Sequence, residues 1–493
     1  MSYKIVEVPA ENPVKTLSKD EVLIVMHTYN SKRQAWVEQL VKKSYKNLTR
    51  HCHYANFYIG FQGSDGESPY VILEWTSEGG NALERRYVLA QLTKIVHQLF
   101  TSKQWVVYLE NFETTEPVSY VEDIFFRMTT PLYESSRLDS LKLLVNDENK
   151  FKALDRYQSV RFQRQWQYRQ WVNANPDEMT SIEIGRQLSA FASANGCEFE
   201  TLDEEQLRNK GLNLLLAVGG ASRLSPPRLH LLSKNLTKGQ QPLLLVGKGI
   251  TFDTGGINVK PHESYVNCMK NDMGGAALMS QLFMALVEAG YNGPLALAIP
   301  TCENLVAEKA MKPGAIIKSY SGKKVMVEHT DAEGRLILAD AIAYAQHLWQ
   351  PKLTIVAATL TTAALRQFSN FFTPVHFAKR DFQAALQKHG DQRGECFRFW
   401  DQFLPFLQGN MTNAADLTNM GRMSGKASIG GGSNVAAHFL QTFSSGPMIH
   451  IDIFATTWNW GDDYPGAHYG ATGAPFNSLF DTLRSFCDEV HSH

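Results

Sequence analysis

The chain has 493 residues and is almost neutral, with 48 Lys plus Arg against 49 Asp plus Glu. This length predicts two or more domains, and the content of 44% apolar and 20% charged residues excludes a wholly disordered or collagen-like chain. A neutral total gives no general attraction for phosphates or anionic membranes, which argues against a dedicated nucleic-acid coat protein.

Neither the cysteines nor the N-terminus indicates export or membrane insertion. The six cysteines are scattered, and no two have the C-x-x-C spacing of a zinc or redox site, so we expect reduced thiols. The N-terminus lacks an apolar segment behind a basic start, and no stretch approaches the roughly 18 consecutive apolar residues of a membrane span. The sequence therefore predicts a cytoplasmic protein without a membrane span.

The first 150 residues alternate short apolar runs with amphipathic stretches. Runs typical of strands occupy 22–26, 70–75 and 105–110, and a helix-like segment extends from about residue 81 to residue 100. This pattern predicts a small N-terminal α/β domain over residues 1–150.

A polar, aromatic segment follows and predicts a linker helix over residues 151–172. Residues 156–171 carry four arginines and no acidic residue. We interpret this stretch as a helix with a solvated basic face, and DNA binding by a regulatory protein is the alternative that the same charge supports. Beyond it, Thr180 or Ser181 predicts the N-cap of a further helix, and Gly196 predicts its end.

Residues 173–493 alternate predicted strands and helices, which indicates a larger domain with a mainly parallel central sheet flanked by helices. Ligands of such sheets gather at the carboxyl ends of the strands. Two of the predicted helices lie at 274–290 and 335–349. The predicted strands are 214–218, 242–246, 294–299, 324–328, 353–360 and 449–454.

Six glycines stand between residues 247 and 275, where we expect a close approach to the backbone. The stretch VGKGITFDTGGINVKPHESYVNCMKNDMGGAA also carries Lys248, Asp253, Lys260 and Asp272. It is not a phosphate loop, because it lacks the third glycine of a dinucleotide fingerprint and does not fit G-x-x-x-x-G-K-[ST].

A second acidic cluster lies in HTDAEGRLILADA, where Asp331 and Glu333 are two residues apart between a predicted strand and a predicted helix. In an extended segment this spacing puts both side chains on the same side. With Asp253 and Asp272 from neighbouring strand ends, four carboxylates would share one crevice, and two divalent cations would balance their mutual repulsion. For either acid alone, a role as a helix cap or turn residue is the alternative.

The residue types in this cluster suit Mn²⁺, Zn²⁺ or Mg²⁺. Two metal ions about 3.5–4 Å apart can share a water molecule and polarise a carbonyl, which is the chemistry of metal-assisted hydrolysis. A deprotonated lysine could be a further ligand, a protonated lysine could stabilise an oxyanion, and an arginine could hold a planar anion. Lys248, Lys260 and Arg335 are the candidates for these roles.

At these residues the sequence resembles the cytosolic leucine aminopeptidase family of two-metal exopeptidases. VGKGITFDTGG, DMGGAA, TDAEGRLILADA, ATLT and the late HIDI and GATG are similar to the family's motifs in the family's order, and the resemblance covers roughly residues 170 to 485. It implies a metallo-aminopeptidase that releases N-terminal amino acids from peptides by attack of a metal-bridging hydroxide. It also implies a homohexamer.

The resemblance also implies which residues bind metal. Asp253, Asp331 and Glu333 would hold one ion. The second ion would be held by Lys248, Asp253, Asp272 and Glu333, so that Asp253 and Glu333 bridge the pair.

Three further residues receive roles from the same resemblance. Lys260 would be the catalytic lysine that polarises the substrate carbonyl or binds the bridging water, and Arg335 would hold a bicarbonate ion that acts as general base. Met269 would form a wall of the pocket for the first side chain of the peptide. Two positions depart from the family pattern, since His329 stands where Asn is usual and Thr362 where Gly is usual.

Overall fold

The computed structural model divides the chain into two compact units. The first contains Met1–Phe162, Asp391–Gly394 and Asn459–Gly470, and the second contains Gln163–Gly390, Glu395–Trp458 and Ala471–His493. The structure describes residues 155–237, 239–421, 431–459 and 469–489, and before them the backbone of seven strands. The predicted boundaries at residues 150 and 172 stay predictions.

The first unit contains a seven-stranded sheet. Its strands are β1 (Ser2–Glu7), β2 (Glu21–Thr28), β3 (His51–Tyr54), β4 (Phe57–Gln62), β5 (Tyr70–Trp75), β6 (Gln104–Leu109) and β7 (Ser140–Val145). They lie in the order β1-β7-β6-β2-β5-β4-β3, and only the β3–β4 and β4–β5 pairs are antiparallel. The three strands predicted here are confirmed, and the helix predicted over 81–100 lies outside the described residues.

The remaining helices and strands follow in chain order. The helices are α1 (Asp155–Asn173), α2 (Ser181–Asn195), α3 (Glu204–Lys210), α4 (Asn213–Gly219), α5 (Gly274–Glu288), α6 (Gly334–Trp349), α7 (Thr362–Phe368), α8 (Arg380–Arg393), α9 (Leu404–Gln408), α10 (Gly432–Gln441), α11 (Phe454–Thr457) and α12 (Phe476–Glu489). The strands are β8 (Glu198–Leu202), β9 (Arg228–Lys234), β10 (Leu243–Gly247), β11 (Gly249–Asp253), β12 (Leu295–Asn304), β13 (Ile316–Lys318), β14 (Lys324–Met326), β15 (Leu353–Ala358), β16 (Phe372–His376), β17 (Cys396–Trp400), β18 (Leu417–Thr418), β19 (Met448–Asp452), β20 (Trp458–Asn459) and β21 (Gly470–Ala471).

The second unit is built on a nine-stranded sheet, as the alternation of strands and helices predicted. Its order is β17-β16-β19-β15-β10-β12-β9-β8, with β11 paired to β12. The inner pairs of β10 with β12 and β15, and of β15 with β19, are parallel, whereas β8, β9 and the β16–β19 pair are antiparallel. Helix α5 packs on β10, β12 and β15, and α6 packs on β10 and β12. The mainly parallel, helix-flanked sheet is confirmed.

Local signals explain both ends of α2. Thr180 accepts a hydrogen bond from the backbone N–H of Glu183 at the start of α2, and Gly196 ends that helix with φ of 60°. Both caps were predicted, because a hydroxyl satisfies an orphan N–H and glycine tolerates the left-handed region.

Among the described residues, no helix combines the length and apolar character that crossing a membrane requires.

Two predicted strands differ in the structure. Residues 214–218 form helix α4, which packs against α6 and β12, and Leu214, Leu215 and Val218 are buried. A short apolar run fits a buried helix as well as a buried strand, which explains this wrong prediction. The strand predicted at 324–328 is only β14, and it joins β13 and β18 in a separate three-stranded sheet.

The interpretation of α1 as a helix with a solvated basic face is wrong for the arginines that the structure describes. Arg161 and Arg169 are each 2% exposed. The Nε of Arg169 donates to the carbonyl of Ala471 at 2.9 Å, and the Nε of Arg164 donates to Glu288 on α5 at 2.7 Å. These arginines serve packing and pairing, so they do not form a free basic face for phosphates.

Candidate active site

Three of the predicted ligands lie near the carboxyl ends of the central strands. Lys248 directly follows β10, and Asp253 is the last residue of β11. Asp272 was predicted at a strand end but lies on a 3-10 helix, Val266–Met273, that leads into α5. Lys248, Asp253 and Asp272 are each 2% exposed.

The other two predicted ligands come from a different part of the fold. Asp331 and Glu333 lie between β14 and α6, in a turn and not in the extended segment that was predicted, and Glu333 has helical backbone angles of −78° and −36°. The turn still brings them together. Asp253, Asp331 and Glu333 each place one carboxylate oxygen within 4.8 Å of the others.

Lys248 is the centre of a buried charge cluster. Its Nζ lies 2.8 Å from Oδ2 of Asp272 and 2.9 Å from Oε1 of Glu333, and it donates to the carbonyl oxygen of Thr359 at 2.9 Å. Burial alone would lower the pKa of Lys248, but the charges of Asp272, Glu333 and Asp253 outweigh it and raise that pKa. Without a metal ion, the carboxylates therefore favour the ammonium form of Lys248.

Lys260 pairs with the other two carboxylates of the cluster. Its Nζ lies 2.8 Å from Oδ2 of Asp253 and also contacts Oδ1 of Asp331. As for Lys248, burial lowers the pKa of Lys260, and the charges of Asp253 and Asp331 more than reverse the effect. Both predicted lysines thus meet the predicted carboxylates.

The carboxylates show the mutual repulsion that their number predicts. Burial, followed by the charges of Asp253 and Glu333, raises the pKa of Asp331 to about 7. Burial and the charge of Asp253 also raise the pKa of Asp272 well above its ordinary value, despite the opposing effect of Lys248. For Glu333 burial is again the largest influence, but Lys248 and Lys260 together outweigh it and lower the pKa.

Two polar residues that sequence reasoning missed orient these carboxylates. The side-chain amide of Asn304 donates to Oδ1 of Asp253 at 2.8 Å and to the carbonyl of Thr330 at 3.1 Å. The hydroxyl of Thr359 donates to Oδ1 of Asp272 at 2.8 Å. The ATLT motif contains Thr359 and was a usable signal, whereas Asn304 had only its place at the end of β12.

The described residues fit a bound divalent cation. Oε2 of Glu333 is buried and has no hydrogen-bond partner among the residues that the structure describes, although it belongs to the same cluster as Asp253 and Asp331. A buried carboxylate oxygen without a donor is costly unless a cation binds it. An all-oxygen set with one amine is a donor set for hard or borderline divalent ions.

Arg335 lies in the first turn of α6 and is 6% exposed. Within the part of the chain that the structure describes, its Nε and Nη1 have no hydrogen-bond partner. Burial lowers the pKa of Arg335 to about 10, against the charges of Glu333 and Asp452. A guanidinium with free N–H groups in a buried position fits a planar anion.

The remaining predicted positions have simpler surroundings. Met269 is buried on the 3-10 helix, three residues before Asp272, and its role in a substrate pocket stays a prediction. Nδ1 of His329 accepts a hydrogen bond from the backbone N–H of Asp331 at 3.2 Å, and burial lowers the pKa of His329. Thr362 is exposed at the first position of α7.

Comparison of the fold with solved structures shows extensive similarity. The structure titled "Bottromycin maturation enzyme BotP in complex with Mn" matches with a TM-score of 0.76 and 22% sequence identity, over 95% of this chain and 100% of that chain. This similarity supports the fold.

Comparison of the sequence identifies the family. The family model described as "Cytosol aminopeptidase family, catalytic domain" matches residues 167–480. A probable cytosol aminopeptidase of Prochlorococcus marinus is 32% identical over 71% of this chain and 72% of its own length. Another, from Methylobacillus flagellatus, is 35% identical over 63% of this chain, and the match spans only 60% of that relative. The chain therefore belongs to the cytosol aminopeptidase family, and the metallo-aminopeptidase that its motifs predicted is confirmed.

Proposed function

We propose that this protein removes N-terminal amino acids from peptides with two divalent metal ions at the cluster around Lys248. The observation that carries the proposal is the meeting of four carboxylates with two lysines, in which Asp331 and Lys260 are partly exposed and the other four residues are buried. Oε2 of Glu333 has no hydrogen-bond partner among the described residues. Asp253, Asp331 and Glu333 would hold one ion. The other ion would be held by Lys248, Asp253, Asp272 and Glu333.

Mn²⁺, Zn²⁺ and Mg²⁺ all suit these ligands. When bound, such a metal pair lowers the pKa of a shared water and polarises the scissile carbonyl. Lys248 can serve as a ligand only as a neutral amine, and two adjacent dications would lower its pKa enough to permit this. The carbonyl of Thr359, 2.9 Å from Nζ, helps to keep the amine in position. Lys260 remains protonated beside Asp253 and Asp331, from where its ammonium can donate to the oxyanion that develops on the substrate.

Arg335 would hold a bicarbonate ion, which we propose as the general base. Its unpartnered Nε and Nη1 supply two donors for such an anion. Two dications would balance the four carboxylates, so that Lys260 and Arg335 leave a positive charge that suits bicarbonate and an oxyanion. Met269 would line the pocket for the first side chain of the substrate.

Asp331→Asn tests the proposed reaction. Asparagine has nearly the same shape as aspartate but lacks its charge, so hydrolysis of an aminoacyl anilide should be abolished while the far-UV circular dichroism stays unchanged. Asp381→Asn, an exposed position in the first turn of α8, is the matched control and should keep its turnover. Near-normal turnover in Asp331→Asn would refute the proposal.

Chelation and re-addition of Mn²⁺, Zn²⁺ or Mg²⁺ separately test the need for metal in the unmodified chain. Activity should disappear on chelation and return with one or more of these ions. Full activity after exhaustive chelation would show that the cluster works without metal. A panel of aminoacyl substrates in the same assay would identify the preferred N-terminal residue.

We also propose a cytoplasmic homohexamer. The names of the relatives, which are cytosol aminopeptidases, support the location. The family resemblance supports the assembly, and light scattering after size-exclusion chromatography should give six times the monomer mass. A stable monomer or dimer would contradict it. DNA binding is not proposed, because the described arginines of α1 are buried or paired.

A further inference from the structure

We propose that Asn419 is a positioning residue that holds the turn of Asp331 and Glu333 in its metal-binding shape. The proposal rests on the metal site proposed above and concerns how that site is kept in order. The turn spans residues 327–333, between the end of β14 and the start of α6. It therefore lies outside the nine-stranded sheet that carries Asp253, and something else must fix it relative to that residue.

The side-chain amide of Asn419 forms all four of its hydrogen bonds with backbone groups of this turn. Its Oδ1 accepts from the backbone N–H groups of Glu328 at 2.8 Å and His329 at 3.3 Å. Its Nδ2 donates to the carbonyls of His329 at 2.7 Å and Ala332 at 3.2 Å. An amide offers two acceptor lone pairs and two donor hydrogens, so all four are used. Asn419 is fully buried.

The bonds of Asn419 enclose the ligand positions. Ala332 separates Asp331 from Glu333, and His329 in turn accepts the backbone N–H of Asp331. The amide of Asn419 fixes the backbone carbonyl of Ala332 and the backbone N–H and carbonyl of His329. This limits the directions that the carboxylates of Asp331 and Glu333 can take. A side chain without this amide would leave buried backbone groups unpaired and release the turn.

Asn419 is itself held rigidly by the small sheet. It directly follows β18, which pairs in parallel with β14 so that Met326 lies opposite Thr418. The backbone N–H of Asn419 donates to the carbonyl of Met326 at 3.1 Å, and the hydroxyl of Thr418 donates to Oε2 of Glu328 at 2.9 Å. The three-stranded sheet thus carries Asn419 directly to the start of the turn.

A second set of bonds ties the turn to the central sheet. The backbone N–H of Thr330 donates to Oδ1 of Asn258 at 2.9 Å, and the N–H of Asn258 donates to Oγ1 of Thr330 at 2.8 Å. Asn304 joins the carbonyl of Thr330 to Asp253. Asn258 and Asn304 therefore hold the turn at Thr330, and Asn419 holds it at residues 328, 329 and 332. Both sets of hydrogen bonds must be intact to keep a defined spacing between the metal ligands.

The test is the affinity of the full chain for Mn²⁺, measured by isothermal titration calorimetry after chelation. Asn419→Ala should weaken Mn²⁺ binding by about 10- to 100-fold, the usual effect of losing a residue that orients metal ligands. Asn419→Asp should bind no better than Asn419→Ala, because a carboxylate oxygen would face the carbonyls of His329 and Ala332. Asn419→Ser, which is smaller but still polar, keeps the test available if the alanine variant does not fold.

Asn410→Ala is the matched control. Asn410 is equally buried, and its Nδ2 donates to two backbone carbonyls, those of Phe406 and Val435, which lie outside the turn. Its loss should lower the stability to urea by a similar amount while Mn²⁺ affinity stays within about threefold of the wild type. That contrast separates a positioning role from general support of the fold.

Two results would overturn this proposal while leaving the proposed metal site intact. If the Asn419 variants bind Mn²⁺ as tightly as the wild type, or if Asn410→Ala loses as much affinity as they do, Asn419 has no special part in the site. If the wild type itself does not bind Mn²⁺, or binds it as Asp331→Asn does, the proposed metal site is wrong and this proposal falls with it. The wild-type and Asp331→Asn titrations therefore distinguish the two failures.

Discussion

Gly334 is the first residue of α6 and lies against the buried side chain of Lys248. A Cβ at this position would lie 2.6 Å from Cδ and 2.6 Å from Nζ of Lys248, closer than atoms can pack. Lys248 has little freedom to move, because Asp272, Glu333 and the carbonyl of Thr359 surround its amine. We predict that Gly334→Ala destabilises the chelated protein and weakens its binding of Mn²⁺.

Opposing effects set the magnitude. Helix propensity favours Ala over Gly by about 1 kcal/mol in a helix interior, and by less in the first turn. Overpacking a buried position costs about 1–3 kcal/mol. Separating a buried ion pair costs about 3–5 kcal/mol when a charge is left without its partner. Since Lys248 would move only part of the way from Asp272 and Glu333, we expect a net loss of about 1–4 kcal/mol.

Urea unfolding of the chelated chain measures this loss, and calorimetric titration measures Mn²⁺ affinity. Gly446→Ala is the control, because the nearest atom to its Cβ would be the carbonyl oxygen of Pro351 at 3.9 Å, which is ordinary contact. It should stay within about 0.5 kcal/mol of the wild type. A Gly334→Ala protein as stable as the wild type, or more stable, would mean that helix propensity outweighs the packing argument and would refute it.

Two further predictions concern stability away from the site. Arg164→Ala should reduce the free energy of unfolding, measured by urea titration, by about 1 kcal/mol, because it removes a bidentate, partly exposed ion pair with Glu288. Arg164→Lys should recover less than half of that loss, since a lysine cannot form the bidentate pair. Burial lowers the pKa of His230 to about 3, so below about pH 6.5 only the unfolded state takes up this proton and stability falls by up to about 1.4 kcal/mol per pH unit. The difference in unfolding free energy between the wild type and His230→Gln should narrow from pH 6.5 to pH 5, and a constant difference would contradict the assignment.

The chemistry of the site could be predicted from residue types better than its geometry. Carboxylates that are grouped away from water need positive charges close by, whichever backbone elements carry them. The meeting of four acids with two lysines could therefore be predicted. The backbone elements that carry these residues could not be predicted in the same way. Asp272 reaches Lys248 from a 3-10 helix, and Asp331 lies in a turn beside a separate small sheet, because long-range packing and not local spacing decides these placements.

Other failures of sequence reasoning have equally physical causes. The run that includes Leu214 and Leu215 is apolar on every side, so its period cannot separate helix from strand, and packing against α6 decides the outcome. The arginines of α1 indicated a solvated face because charge is normally exposed. Arg164 and Arg169 instead have Glu288 and the carbonyl of Ala471 as partners, more than 100 residues away along the chain.

The backbone is approached closely at the glycines between residues 247 and 275, as predicted, but the sequence did not show which segment approaches them. A Cβ on Gly247 would lie 2.6 Å from the carbonyl carbon of Gly275, and one on Gly275 would lie 2.8 Å from the backbone nitrogen of Lys248. The close approach is therefore between the backbone after β10 and the start of α5, where the N–H of Ala276 donates to the carbonyl of Lys248 at 2.7 Å. Because Asp272 lies two residues before α5, this contact between backbones brings its carboxylate to the amine of Lys248. Larger residues at Gly247 or Gly275 would move the helix and separate Asp272 from Lys248, so these two glycines determine the geometry of the site through the packing of backbone on backbone.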